Sequence, residues 1–560
     1  MIYSPHHHLL PFRQSYFLTS SAARVGLSFW VVLAAAFLES SISVKAFLIP
    51  RPPRGFPRYH QIRRRMACPN DENFELSPSI PITNSTTQMP ILPLDEGEDD
   101  DDVEHHASSF MQNDGHWIDE DDYCDVVDDG GTKAFESYCD GSSFRWIRME
   151  RQLDPVLKEI ESRQDVHDKI LEVQNSQAQL GQSDLYARRW VCHGDDSKMP
   201  INGSSKSTSN NKTFSVLQFN LLAEGLSAGP DAKRPFQLDP KNEHNQQEKF
   251  LFGGFTDVPF PNETLTFAHR RWRLVEVLLG GGLLEDMNTQ SPLSGEKRPH
   301  AEPPFDIICM EEVDRFSGFF APLLTRLFGY HSLFVPKIRS PGVRMGWYSD
   351  GCAVFWKRDQ FRLKRKEKLE FKVGNQVMII ATLQHVASGN FLVIAATHLK
   401  ASKSEANERV RVTQVEELLI NIQNHINISQ EMYSESRKMP VIIAGDFNAD
   451  PPSRQDVVTP DDTAIARLQN AANISLQSAY DMDRLDLFTT WKIRGTKITQ
   501  RMIDYIFYDP NLLECQATLS IPNEDELEPT RLPGLRYPSD HMAIGARFHF
   551  VNAADKSPKN

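Results

Sequence analysis

Asn220, Glu312, His398, Asp446 with Asn448, and Asp540 with His541 each stand beside a short apolar run and are read as the C-terminal tips of buried strands. Keeping a carboxylate charged in such a place is costly unless something compensates it. One Asp after a strand is ordinarily a turn or helix cap. Five tips drawn only from Asn, Asp, Glu and His are hard to account for as caps. Their types are those that hold a hard divalent cation through oxygen, orient a phosphate and move protons.

The elements that must carry these tips follow from patterning. Apolar, β-branched runs occur at 214–223, 306–312, 351–356, 375–384, 391–399, 440–448, 502–508 and 543–550. Their lengths fit buried strands. The stretches 268–281 and 404–426 are amphipathic and read as helices. Strands packed on strands with helices outside predict an α+β fold, a β-sandwich flanked by helices. The polar stretches 226–266 and 282–304 read as surface loops. Upstream, Leu153, Val156, Leu157, Ile160, Ile170, Leu171 and Val173 recur at helical spacing, with Pro155 near a helix start. This predicts an accessory helical region over 133–193.

The wording of the tips resembles the endonuclease/exonuclease/phosphatase superfamily. QFN at 218–220, EE at 311–312, THLKA at 397–401, GDFNADP at 445–451, IDYIFY at 503–508 and SDH at 539–541 occur in its order, across 214–551. QFNLLAEGL, VDRFSGFFAPLL, GYHSLFVPK, SDGCAVFW, NQV, TTWKIR and RLPGLRYPSDH are similar to the branch of nocturnin and the carbon-catabolite-repressor-type deadenylases. The resemblance implies a four-layer sandwich of two packed sheets between helices. It implies Mg²⁺, or Mn²⁺, on Glu312 and Asn220 with Asp540 completing the shell. His541 oriented by Asp504 would sit at the phosphate, Asp446 would handle the proton, Asn448 would orient it, and His398 would donate to a non-bridging oxygen. Lys337 and Lys400 fall where family members contact substrate phosphates, and Asn375 where they contact the nucleotide or sugar.

There are departures from the pattern. Glu311 stands where the family usually has Gln, and adds a carboxyl beside Glu312. The basic residue usual after THLKA is displaced, with Ser402 followed by Lys403. Gln500 and Arg501 put a cation nearer Asp504 than the pattern does. Lys403 and Arg501 are therefore the candidates for a second substrate phosphate. The resemblance implies hydrolysis of the 2′-phosphate of NADP(H). The alternatives are a 3′→5′ exoribonuclease acting on an RNA 3′ end, and an inactive nucleotide-binding scaffold.

Composition bounds these readings. The net charge of −14 over 560 residues argues against binding nucleic acid mainly by coating its phosphates with cations. Seven cysteines without a CxxC pair fit neither a zinc ribbon nor a disulfide framework, and Cys309 and Cys352 read as small core residues. Arg13 and Arg24 precede an apolar run from Val25 to Leu38, the pattern of a signal peptide cleaved near Ala46. An Arg-rich, acid-free stretch follows, to about residue 68. In a secondary-plastid alga the pair would be a plastid presequence; a mitochondrial or secretory leader is the alternative. Residues 69–132, with DEGEDDDD at 95–102, read as an acidic linker, 194–213 as a second linker and 552–560 as a tail. No membrane span is expected after processing, no protein partner can be named, and a monomer is expected.

Overall fold

In a computed structural model, the described residues are 147–150, 152–193, 212–229, 232–236, 251–255, 257–284, 303–435 and 438–551. The presequence, the acidic linker, the tail and almost all of the second linker lie outside them. In chain order the main elements are α1 (Arg163–Ala178), β1 (Trp190–Cys192), β2 (Thr213–Asn220), α2 (Phe267–Leu278), β3 (Ile307–Glu311), α3 (Ala321–Phe328), β4 (Tyr330–Pro336), β5 (Gly351–Lys357), β6 (Phe361–Glu370), β7 (Val377–His385), β8 (Phe391–His398), α4 (Glu405–Met432), β9 (Val441–Asp446), α5 (Ala464–Gln469), β10 (Gln477–Ser478), β11 (Thr490–Arg494), β12 (Lys497–Arg501), β13 (Asp504–Tyr508), β14 (Leu513–Leu519) and β15 (Ile544–Phe550).

The strands form one sheet in the order β1-β14-β15-β2-β3-β5-β4 and another in the order β10-β13-β9-β8-β7-β6, with β11-β12 as a separate hairpin. Val216, Cys309 and Val354 of the first sheet share a buried cluster with Ile379, Ile394 and Ile443 of the second. Leu217, Ile308 and Phe355, on the other face of the first sheet, pack with Leu274 of α2, Leu324 of α3 and Val166 of α1. Val415, Leu418 and Ile422 of α4 and Ile465 of α5 cover the second sheet. The α+β architecture is thus helix, sheet, sheet, helix. Cys309 and Cys352 are fully buried in the intersheet core.

Two pairings aim the tips. β2 lies parallel to β3 and β8 parallel to β9, so each pair ends at the same edge. Asn220 pairs with Glu311, and His398 with Asp446. The expectation that every tip closes a strand fails for Asp540 and His541, which precede β15 rather than follow it. β15 runs antiparallel to β2, with Ile544 opposite Gln218, so its entry meets the exit of β2. Asp504 likewise opens β13, opposite Asp446 at the end of β9.

The upstream helical pattern is two pieces. Asp154 accepts from Val156 N and caps a single 3₁₀ turn, Pro155–Lys158. A Ser162–Asp165 capping box then starts α1, because it satisfies the free amides of a new helix end. Residues 188–193 run on into the first sheet, where β1 pairs with β14. Part of 226–266 is also interior, since Phe255, Val258 and Leu265 cluster with Leu222. β6 escaped the sequence reading because FRLKRKEKLE is charged along its length, and its strand form comes from pairing with β7.

Ile380, fully buried in β7, tests the weight of this core far from the chemistry. Truncating Ile380 to Ala should lower stability by about 2–5 kcal/mol in urea titration. A loss below about 1 kcal/mol would show a core able to collapse around the gap.

Candidate active site

The cluster is assembled on a web of short hydrogen bonds. Asn220 Nδ2 donates to Asp446 Oδ2 at 3.0 Å and to Glu312 Oε1 at 3.2 Å. Glu312 Oε2 accepts from Ala223 N. Asp446 Oδ1 accepts from Asn448 N at 2.9 Å. Asn448 Nδ2 lies 3.0 Å from His398 Nε2. Asp504 Oδ2 lies 2.9 Å from His541 Nδ1, and Asp446 Oδ2 lies 3.8 Å from the same atom. Leu222, Glu312, Ser402 and Asn448 all take positive φ values (51–73°). Such backbone is strained for non-glycine residues, and its concentration around one cluster is typical of functional sites.

Burial sets the charges. It opposes charge on His541, but Asp504, with Asp446 and Asp540, overcomes it and raises the pKa to about 9. His541 is therefore an imidazolium at neutral pH. His398 is the opposite case. Burial, reinforced by the Lys337 ammonium 3.5 Å from Nδ1, pushes it down to about 4 and keeps it neutral. Burial and the charge of Asp504 push Asp446 above the usual carboxylate range. Burial also works against Asp540, yet Lys492, His541 and Arg494 hold it below that range.

Glu311 stands beside Glu312 in a setting that opposes its charge. Its carboxyl is fully buried, and burial together with Asp504 raises its pKa well above the ordinary value, favouring the neutral acid. It accepts from Gln218 Nε2 at 2.7 Å, and the same nitrogen donates to Asp504 Oδ1 at 2.9 Å.

A divalent cation can be tested against these donors. The carboxylates of Glu312 and Asp446 converge without any sulfur, a donor chemistry that fits a hard cation such as Mg²⁺ or Mn²⁺, whereas Asn220 turns Nδ2 toward both and its Oδ1 accepts from Leu222 N. Asp540 is committed elsewhere, to Lys492 Nζ at 2.5 Å and Arg494 Nη2 at 3.2 Å. Asp446, Asp504 and His541 also have ligand-type atoms within 4.8 Å of one another. There both carboxylates already face His541 Nδ1, at 2.9 and 3.8 Å.

The outlying candidates divide. Lys337 is buried, joined to Asp350 at 2.7 Å and turned toward His398. Lys400 is half-buried beside the cluster's Leu399. Lys403 and Arg501 converge on Asp450, at 3.4 and 2.9 Å, and Lys403 also meets Asp456 at 2.8 Å. Both are paired there, as Lys337 is with Asp350 and as Lys492 and Arg494 are with Asp540. Asn375 donates to Arg339 O and accepts from Gln376, and among the described residues no hydrogen bond joins it to the cluster.

Sequence reasoning missed Lys492 and Arg494 as site residues. The signal was the alternation Trp-Lys-Ile-Arg at 491–494, which puts both cations on one face of a strand. It also missed Arg270, fully buried, which donates to Leu221 O at 2.6 Å and Pro538 O at 3.4 Å. Arg270 thereby ties the exit of β2 to the loop that carries Asp540. No local pattern marks such a residue.

The sequence profile of the endonuclease/exonuclease/phosphatase family matches residues 422–541. The chain is 31% identical to nocturnin of Xenopus laevis over 62% of its length and 75% of the relative's. The chain belongs to the endonuclease/exonuclease/phosphatase family, in its nocturnin branch. It is 34% identical to human nocturnin, covering 61% of this chain and 66% of that one. The CCR4-Not complex 3′-5′-exoribonuclease subunit Ccr4 of Yarrowia lipolytica is 28% identical over 45% of this chain and 43% of its own. As a member of this family the chain is a hydrolase of phosphate ester bonds. No helix among its described residues is long and apolar enough to cross a membrane.

The His541 charge has a signature in stability. Its folded pKa, about 9, lies above the ordinary 6.5. The stabilisation is complete below 6.5 and is lost as pH rises through 9, at about 1.4 kcal/mol per pH unit. Urea titrations from pH 6 to 10 should show this decline in the native chain and a flatter course in Asp504→Asn. Equal slopes in both proteins would mean that Asp504 does not hold the proton on His541.

Proposed function

We propose that the chain is a Mg²⁺-dependent phosphatase that removes the 2′-phosphate of NADP(H). The reading rests on the compact cation wall around the cluster. Lys337 faces His398, while Lys492 and Arg494 face Asp540, on a chain of net charge −14. A few placed cations suit a small doubly charged ester better than a polynucleotide, which needs a long basic track. The likeness to nocturnin supports it.

In this reading Glu312 and, with its amide reversed, Asn220 would hold the cation, which would neutralise charge growing on the phosphoryl oxygens. Asp446 takes the proton of the attacking water, since burial has raised its affinity for one. Asn448 fixes Asp446 through its backbone amide and turns its own amide toward His398. The His541 imidazolium, locked by Asp504, donates to a non-bridging oxygen. His398 is neutral, and its two ring nitrogens meet the donors Asn448 Nδ2 and Lys337 Nζ, so it orients those groups without adding charge.

The second reading, a 3′→5′ exoribonuclease, is supported by the likeness to Ccr4. It uses the same cluster on an internucleotide ester. For location, the leader described from the sequence supports delivery to an organelle, a plastid if the source carries a secondary one.

One comparison separates the two substrates. Residues 133–560 are incubated with Mg²⁺ and NADPH, and separately with 5′-labelled oligo(A), beside Glu312→Ala and Asp446→Asn. Phosphate release from NADPH that falls about 10²- to 10⁴-fold in both variants is the expected outcome. Shortening of the RNA from its 3′ end with NADPH intact would replace the first reading with the second.

A further inference from the structure

The loop that delivers Asp540 and His541 is held from two sides. On the site side, Ser539 Oγ donates to Asn220 O at 2.6 Å, and Met542 N donates to Thr489 O at 2.7 Å. On the far side the partners come from the region upstream of the strands that carry the chemistry. Arg188 Nη2 donates to Ala543 O at 2.9 Å, and Arg188 Nε donates to Ser520 O. Tyr186 stacks on Tyr537 with ring centroids 6.2 Å apart, and Tyr537 Oη accepts from Ala543 N at 3.0 Å. Both backbone groups of Ala543, two residues past His541, are thus held by this assembly.

The need for it is local. Ala543 is fully buried and precedes the first ladder pair of β15, so its peptide has no sheet partner of its own. A buried peptide group must be paired. Arg188 is an expensive way to do it. Arg188 is only 4% exposed, and its side chain bonds the carbonyls of Ser520 and Ala543 and meets the Tyr537 hydroxyl, with no carboxylate among these partners. An apolar residue would fill the space at lower cost but could not fix the position of that carbonyl. The backbone of Arg188 is clamped in turn, donating to Gly282 O and accepting from Leu284 N, both at 2.8 Å.

We propose that Arg188 is a positioning residue for the reaction, and that through it residues 183–189 set the place of His541 against Asp504. The proposal rests on the chain's being a phosphoester hydrolase with His541 at the phosphate. It makes the upstream region part of the catalytic apparatus rather than an appendage.

The full chain, Arg188→Lys and Arg188→Met are compared by kcat per folded molecule, KM, and hydrogen exchange at amides 541–543. Arg188→Met should lower kcat by about 10- to 100-fold, the scale of a misplaced catalytic group, with KM within about threefold. Exchange at 541–543 should quicken. Arg188→Lys, which can reach only one of the two carbonyls, should fall between. If thermal stability drops while kcat per folded molecule stays at the native value, Arg188 is only structural and the proposal is overturned. Should Arg188→Met fail to fold, Arg188→Lys decides, and native kcat with native exchange overturns it. If the native chain hydrolyses neither NADPH nor oligo(A), the substrate readings fail separately. Exchange then judges Arg188, and unchanged protection at 541–543 in Arg188→Lys overturns the proposal.

Discussion

Asp446 and Asp504 are fully buried and stand opposite each other on paired strands, a placement that would drive the strands apart if nothing lay between them. The His541 imidazolium is what lies between them, 2.9 Å from one carboxylate and 3.8 Å from the other. Its proton is held well above the ordinary histidine range by the same charges that it relieves. The three side chains are stable only together, and most of the remaining site is arranged around that condition.

The sheets supply the geometry. Parallel pairing of β2 with β3 and of β8 with β9 brings four strand ends to one edge, and antiparallel β13 and β15 start where those strands stop. Polar groups from six distant stretches of chain therefore meet without any of them crossing the apolar core. Gln218 extends the arrangement below the floor, joining Glu311 to Asp504. Burial and the charge of Asp504 both raise the proton affinity of the Glu311 carboxyl beside Glu312.

Cations complete the balance, and their assignments follow from what each one faces. Lys492 and Arg494 lie against Asp540. Lys337 has Asp350 on one side and the neutral His398 on the other. Lys403 and Arg501 are drawn to Asp450 instead. The cations around the cluster thus come from the β11–β12 hairpin and from the end of β4 as much as from the loop after β8. That distribution could not be inferred from the number of lysines and arginines near the motifs.

Local chemistry in the sequence marked seven of these residues, because each sits beside an apolar run whose burial makes a polar neighbour conspicuous, and the family resemblance added Asp504; the fold brings them to one edge. Local chemistry was also sufficient for the sandwich, since runs such as 377–385 and 391–398 are too apolar to be anything but interior strands. Long-range contacts decided the rest. Asp540 and His541 read as a strand's end and are a strand's beginning, because hydropathy carries no direction. β6 is a strand by pairing and not by composition. The raised proton affinity of Glu311, the engagement of Lys403 and Arg501 by Asp450, and the reach of Arg188 into the 539–543 loop each depend on which groups the fold sets within a few ångströms. Charge, protonation and hydrogen bonding are properties of such neighbourhoods, and the linear order of residues does not contain them.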